Sequence, residues 1–250
     1  MRHLSFALSS SVALLLSLPA HADFIGIYAS ADAWQYDGDI SVAQTNKPTE
    51  KFNVDQQTQA NLAVSIEHPV PFIPNVRIRY NELQAADTLN SVAFQFDNKT
   101  YLGNVDLDMQ LNNTDFILYY EILDNIVSID LGIAAKNIKG DVQVKGNTLG
   151  GTESSTVSFN ETIPMVYASV GGSLPFTGWS AKAEASGIQY QGSSLSDMQA
   201  EIKYDLVHNL VVDLGVKLGY RQINIKLDDV ENTDADGTFK GPYLGMEVHF

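Results

Sequence analysis

From Ile25 onward, apolar residues recur at every second position in short segments that turn-forming residues separate. A period of two places successive side chains on opposite faces of an extended chain, so each segment predicts a β-strand. One face of each segment has no formal charge, whereas the other face carries charged or polar residues. The pattern predicts ten strands, at residues 25–33, 62–67, 76–81, 116–122, 127–133, 166–174, 179–185, 198–206, 210–221 and 244–250.

The connections between these strands fall into two classes. Four are short, at residues 68–74, 123–125, 175–178 and 208–209. Four long polar segments alternate with them, at residues 37–57, 85–115, 145–161 and 228–238, and only the connection near Ser193 departs from this rule. Such sorting is typical of an antiparallel meander with short turns at one rim and long loops at the other. A soluble β-sandwich would also show alternating faces, but it gives no reason for the loops to sort.

The sequence therefore favours an all-β fold, a transmembrane antiparallel up-and-down β-barrel of about ten strands, within a range of roughly eight to twelve. An even strand number returns both chain ends to one rim, the periplasmic rim. Residues 92–111 contain two further alternating stretches, which predict either a hairpin beyond the membrane or an extra strand pair. Apolar parity also changes near Asn137 and Gln222, where we expect either β-bulges or the points at which strands leave the lipid.

The first residues have the pattern of an export signal. Arg2 precedes an apolar run from Val12 to Leu18, and Ala20-His21-Ala22 is an A-x-A cleavage motif. The apolar run is much shorter than the roughly 20 residues that a membrane-spanning helix needs, and no longer run follows. We therefore predict a signal peptide at residues 1–22 and an outer-membrane β-barrel at residues 23–250.

Composition limits the partners and the covalent chemistry that are expected for the chain. The formal net charge is −15, which disfavours nucleic acid as a partner because phosphates attract basic surfaces. The chain contains no cysteine, so an exported form has neither disulfides nor a reactive thiol.

The last eight residues, Tyr243 to Phe250, place apolar side chains at every second position before a terminal aromatic residue. This segment resembles the last strand through which the barrel-assembly machinery recognises outer-membrane barrels. The segments Asp23-Phe24-Ile25-Gly26-Ile27-Tyr28 and Leu118-Tyr119-Tyr120-Glu121-Ile122-Leu123-Asp124-Asn125 resemble a family of Gram-negative outer-membrane β-barrel proteins of unassigned function. The resemblance implies a fold and a location in the cell outer membrane, and it supplies no catalytic or ligand residues.

Charges on the predicted inner face are nearly balanced. The acidic side chains are Asp32, Glu67, Glu121, Asp130, Glu184, Glu201, Asp205, Asp213 and Glu247, and the basic ones are Arg77, Arg79, Lys136, Lys182, Lys203, Lys217 and Arg221. Facing lipid would cost roughly 2–4 kcal/mol for each Lys or Arg near the midplane, which assigns these charges to the lumen. We expect paired networks that plug a narrow structural barrel, and the alternative is a small ion-lined channel for small solutes.

An outer-membrane enzyme is the rival function. The mature chain has only His68, His208 and His249, all at the predicted periplasmic end, and it contains neither G-x-S-x-G nor H-E-x-x-H. A carboxylate-based site at the extracellular rim, such as Asp37 with Asp39, is the form that an enzyme would take. We predict that the protein is not an enzyme, and we assign no catalytic, cofactor-binding or metal-binding residue.

Two surface features complete the predictions. Asn232, Asp234, Asp236 and Gly237 copy the first half of a calcium loop, but Tyr243 stands where a bidentate glutamate should be. The acidic segment 228–237 is thus a solvated hairpin tip or a weak divalent-cation site. A girdle at the membrane interfaces is predicted for Tyr80, Tyr120, Trp179, Tyr204, Tyr220 and Phe250. The expected partners are outer-membrane lipid and lipopolysaccharide, and the expected state is a monomer.

Overall fold

The computed structural model describes residues 25–44, 50–209, 211–230 and 233–250. The predicted signal peptide, residues 1–22, lies outside these residues. Eleven strands are assigned within them. Their bounds are β1 Gly26–Gln44, β2 Glu50–Glu67, β3 Asn75–Asn81, β4 Gln84–Phe96, β5 Lys99–Asp124, β6 Val127–Thr148, β7 Gly151–Ser173, β8 Trp179–Tyr190, β9 Ser193–His208, β10 Asp213–Val230 and β11 Thr233–His249.

The strands close into an antiparallel barrel. Consecutive strands pair with one another except β3 and β4, which both pair with β5. Strand β1 also pairs with β11, so that the first and last strands close the sheet. The pairing reaches the terminal residue, where the Phe250 amide donates to the Ile27 carbonyl at 3.0 Å and the Ile27 amide donates to the Phe250 carbonyl at 3.1 Å. The order is that of an up-and-down meander, and the predicted fold class is confirmed.

Strands β3 and β4 are two segments of one barrel strand. Both pair with β5 in a single register, since Asn81 lies opposite Asn113 and Gln84 lies opposite Gln110. The barrel thus has ten strands, and each overlaps one of the ten segments predicted from the sequence. The two alternating stretches in residues 92–111 belong to the β4–β5 hairpin, which extends the barrel wall instead of adding a strand pair to it.

The long polar segments were predicted to be loops, and that prediction is wrong for the described residues. β5 has 26 residues, whereas a membrane-spanning strand needs roughly 9–11. Residues 85–115 are strand apart from the tight turn at Asp97 and Asn98, and residues 145–161 are strand apart from the turn at 149–150. The exception noted near Ser193 is also a tight turn, at Gln191 and Gly192. Strand pairing continues outward because backbone groups beyond the lipid are still satisfied by a ladder.

Polarity inverts along the barrel axis. Near the short turns, outward side chains are apolar and exposed, including Leu131, Ile133, Val166, Leu218 and Leu244, while the lumen is charged. Towards the hairpin tips, the outward side chains are polar, and the inward ones form the buried apolar cluster. A lipid belt and a water-exposed extension explain the two halves, because each solvent selects the surface that faces it.

The inversion explains the parity changes at Asn137 and Gln222. Pairing of β6 with β7 runs without a shift from Val127 to Thr148, so there is no bulge at Asn137. The register shifts in β10 lie at Leu214/Gly215 and Leu227/Val230, away from Gln222. Inward positions therefore stay inward and change only from charged to apolar. Of the two explanations that the sequence left open, departure from the lipid is correct.

Aromatic residues mark the edges of the apolar belt. The six predicted girdle residues all have outward, half-buried or exposed side chains, and the rings of Trp179 and Tyr204 contact each other at 4.9 Å between centroids. Trp179 and Phe250 lie beside the short turns, whereas Tyr80 lies where β3 meets β4. In the described ranges, no helix is long and apolar enough to cross a membrane.

Candidate functional site: the barrel lumen

The inner positions of neighbouring strands bring charges from distant parts of the sequence into contact. Arg79 on β3 reaches Glu184 on β8 at 2.6 Å between Nη1 and Oε1, and Arg77 reaches the other oxygen of Glu184 at 2.7 Å. Glu184 is buried, so its charge is compensated by two guanidinium groups instead of water. The predicted inner-face network is thus confirmed for this group.

Asp197 on β9 is the centre of the network. Arg221 donates to both carboxylate oxygens, with Nε–Oδ1 at 2.9 Å and Nη2–Oδ2 at 2.6 Å. Lys136 Nζ lies 3.1 Å and Arg79 Nη2 lies 3.4 Å from Oδ2. The carboxylate side chain has no exposed surface, so three cations on three strands replace its water shell.

A second buried carboxylate completes this layer. Asp115 on β5 accepts from Arg79 Nε at 2.9 Å and from Lys136 Nζ at 2.6 Å. Two amides extend this layer: the Asn81 side chain accepts a hydrogen bond from Arg221 and donates one to Asn113. We call the central layer the set Arg79, Asn81, Asn113, Asp115, Lys136, Asp197 and Arg221.

Sequence reasoning missed Asp115 and Asp197, the two acids of the central layer. The predicted loop 85–115 ends on Asp115, and the eighth predicted strand begins at residue 198, one position too late to include Asp197. Extending the alternation backwards from Glu201 would have placed Asp197 on the inner face, but the pairing with Arg79 spans 118 residues and has no local signal.

Nearer the short turns, a smaller group of charges surrounds a cavity. Lys217 Nζ lies 3.1 Å from Asp32 and 3.4 Å from Glu201, and Tyr243 donates to Glu201 at 2.6 Å. Lys203 bridges Glu247 and Asp205 at 3.1 and 3.3 Å. The cavity between this group and Arg77 has a volume of about 40 Å³. A site of this size and polarity holds roughly two or three ordered waters.

The remaining predicted lumen residues lie towards the short-turn end. Asp130 is near Lys182 at 4.0 Å and accepts from Ser169. Tyr119 donates to Glu67 at 2.5 Å. Asp213 contacts His208 at 2.7 Å and His249 at 3.7 Å. The predicted residue Glu121 is exposed at the end of β5.

Above the central layer, towards the hairpin tips, an apolar layer fills the barrel. We call it the aromatic plug: Trp34, Tyr36, Phe52, Tyr101, Val105, Val144 and Phe239, each no more than 1% exposed. Trp34 donates to the Gly241 carbonyl at 3.1 Å, and the Arg221 guanidinium lies 5.1 Å from the Trp34 ring centroid. The plug and the central layer therefore contact each other directly, with a cation–π interaction between them.

The candidate enzyme residues lie at two opposite ends of the barrel. Asp37 and Asp39 lie on the outer face of β1, and Asp39 is paired with Lys51 at 3.3 Å. His68, His208 and His249 lie at the short-turn end, as predicted. None of these five residues lines the central layer or the aromatic plug.

The proposed calcium-loop motif is also not a loop in the described residues. Asp234 and Asp236 belong to β11, where they pair with Ala43 and Ser41 of β1. Asn232 lies outside the described residues. An extended strand is straight and rises about 3.3 Å per residue, so these two carboxylates lie in a row on one face and do not curve around one ion as a calcium loop does. No cluster of three or more metal-ligating side chains occurs in the part of the chain that the structure describes.

No protein-family model and no curated protein matches the chain. Among solved structures, the outer-membrane protease OmpT of Escherichia coli is 11% identical with a TM-score of 0.48, over 94% of this chain and 99% of that chain. The translocator domain of the autotransporter NalP from Neisseria meningitidis is 10% identical with a TM-score of 0.46, over 97% and 95%. Ail of Yersinia pestis is 13% identical with a TM-score of 0.34, over 90% and 99%.

These similarities concern the barrel alone and assign no activity. The location follows from the chain's own surface, since a closed sheet with an apolar outer belt and a charged lumen is the form in which strands cross the outer membrane. The protein is an outer-membrane β-barrel.

Proposed function

We propose that the protein is a closed structural barrel that does not conduct and that carries a folded extension above the outer membrane. The proposal rests on one observation: two buried layers, the central layer and the aromatic plug, follow one another along the lumen. A pore wide enough for water leaves its lining accessible to water. The aromatic plug is at most 1% exposed, and Arg221 in the central layer is also 1% exposed.

Barrel size agrees with this proposal. Side chains just fill a barrel of about eight strands, and ten strands leave a narrow remainder. Here that remainder is the cavity of about 40 Å³ beside Lys217 and Glu201, next to the central layer. Paired charges in such a lumen stabilise one arrangement of the wall, because separating any pair leaves a buried charge without its partner.

Planar bilayer recording tests the proposal against the narrow channel. We expect the purified protein to show no stable conductance, whereas a double variant, Trp34→Ala with Tyr36→Ala, should open the plug and show discrete steps. The matched control is Tyr220→Ala, which removes an aromatic ring from the outer surface and should stay silent. Reproducible steps from the unmodified protein would establish a channel, and cation selectivity would then follow the lumen carboxylates.

We further propose that the protein has no catalytic activity and functions as a monomer in contact with lipid and lipopolysaccharide. The first part is supported by the separation of the two candidate aspartates on β1, Asp37 and Asp39, from the three histidines, which lie at the opposite end of the barrel. An outward, exposed Phe250 at the end of the closing strand supports recognition of that strand by the barrel-assembly machinery. Deleting Phe250 should slow assembly in cells and leave the refolded barrel's stability in detergent nearly unchanged.

A further inference from the structure

Strand β7 has one unpaired edge outside the membrane belt. β7 pairs with β6 along its whole length, from Gly151 to Gly172. Its pairing with β8 covers only residues 166–173, because the β8–β9 hairpin turns back at residues 191–192. In the register of that pairing, residues 151–162 lie beyond the end of β8 at Tyr190 and therefore have a strand neighbour on one side only, within the described part of the chain.

Backbone parity shows which groups point to the open side. Ser173 donates to the Ile126 carbonyl beside β6, and Leu174 donates to the Trp179 carbonyl beside β8. Because successive residues of a strand point to opposite neighbours and β7 has no register shift, even-numbered residues face away from β6. The open N–H and C=O groups belong to Ser154, Thr156, Ser158, Asn160 and Thr162.

Pro164 marks the start of this edge. It has an even number, so its nitrogen lies on the open side, where no ladder donor is needed. It lies two residues beyond Val166, the last residue of β7 that pairs with β8. Residues 151–163, which continue outward from Pro164, contain no proline, so the edge itself is able to pair with another strand.

The wall has another gap, where β4 faces β2 and β1, but side-chain hydrogen bonds close that gap. The β7 edge differs because no such bonds cross it in the described residues. Between β2 and β4, the Asn53 amide donates to Asp87 at 2.8 Å. The Tyr36 hydroxyl donates to the Gln84 carbonyl and accepts from the Gln84 amide at 2.9 and 2.7 Å. Among the described residues, the side-chain hydrogen bonds of residues 154–162 all join them to β6, as in the pair Ser158 and Asp141.

The inner face beside the open edge is partly apolar and uncovered. Val157 is 39% exposed, and Phe159 and Ile163 are half-buried against the apolar cluster. Glu161 is exposed on the same inward series and has no ion pair in the described structure. Glu153 differs, since a hydrogen bond from the Lys99 ammonium lowers the pKa of Glu153 below its ordinary value.

We propose that the open edge of β7, residues 154–162, binds a basic extended segment of another protein by strand addition. Main-chain hydrogen bonds to the five even-numbered residues would hold the segment, which spans roughly 30 Å at 3.3 Å per residue. Apolar side chains at alternate positions would cover Val157 and Phe159, and a basic side chain would pair with Glu161. The net charge of −15 favours a cationic partner over a neutral one.

A synthetic peptide in which valine alternates with lysine and threonine is the probe. It should bind the full-length protein in nanodiscs by fluorescence anisotropy. Two N-methylated versions share its composition and charge but block opposite edges of the peptide. We expect one version to bind at least tenfold more weakly and the other to bind normally, because only one peptide edge faces β7. Equal binding by both versions would show adsorption to the acidic surface and would overturn strand addition.

Protein variants locate the site. Thr156→Pro removes an N–H on the open side without removing a β6–β7 hydrogen bond, and it should weaken binding at least tenfold. Thr156→Ala keeps that N–H and should bind within twofold of the unmodified protein. Heat-modifiable gel migration checks that both variants fold. Undiminished binding to Thr156→Pro, or hydrogen-exchange protection outside residues 154–162, would refute the proposal. Bilayer conductance tests the closed barrel separately.

Discussion

Replacing Asp197 by asparagine tests whether the central layer stabilises the barrel. The substitution keeps the side-chain volume and one carbonyl acceptor, but it removes the charge that compensates Arg221, Lys136 and Arg79. Asp197 is 2% exposed, so water cannot replace the lost charge without opening the lumen.

The magnitude follows from the partners that remain. Lys136 and Arg79 still contact Asp115, and Arg79 also contacts Glu184. Arg221 keeps the Asn81 carbonyl and the face of Trp34, neither of which carries a negative charge. One buried guanidinium therefore lacks a counter-ion, and we expect a loss of about 3–5 kcal/mol in the free energy of unfolding.

Denaturant unfolding in lipid vesicles, followed by tryptophan fluorescence and by heat-modifiable gel migration, measures this loss. The matched control is Glu153→Gln, which breaks the exposed 3.0 Å pair with Lys99 and should leave the free energy of unfolding nearly unchanged.

Adding Arg221→Met to Asp197→Asn removes the stranded charge and should recover part of the loss. Equal losses for Asp197→Asn and Glu153→Gln would refute the reasoning, as would additive losses in the double variant.

Two further predictions concern packing and orientation. At Gly241, an added Cβ would lie 1.9 Å from the Gln35 carbonyl oxygen, so Gly241→Ala should push β1 away from β11 and lower the free energy of unfolding by about 1–3 kcal/mol. The control is Gly172→Ala, whose added Cβ has its nearest atom at 3.4 Å and which should be nearly neutral in the same unfolding assay. A cysteine at Asp55 should react with an impermeant reagent on intact cells, and one at Asn209 should react only after permeabilisation. The reverse labelling would invert the assigned orientation.

The sequence by itself determined the faces of the strands. A strand in lipid must show apolar residues outward and polar residues inward, so the period of two identifies both the strand and the face, as in Ile129, Leu131 and Ile133 opposite Asp130. Closure by the first and last strands and the inward position of Lys217 and Arg221 follow from the same constraint.

The sequence did not determine where strands end beyond the membrane. Outside the lipid, water selects polar outward residues, so the alternation changes its polarity while the backbone continues in register. A polar segment such as 145–161 then looks like a loop when only its composition is considered. Only the pairing of β6 with β7 showed that it is strand, and only the shorter β8 showed that its edge is open.

Tertiary structure also decided which charges meet. Alternation places Arg79 and Glu184 inside, but their contact depends on strand tilt and on distances across the barrel. Asp197 became the centre of the network because β3, β6 and β10 bring Arg79, Lys136 and Arg221 to one height in the lumen. A one-dimensional pattern specifies the side of the wall on which a residue lies, whereas closure of the wall specifies its neighbours.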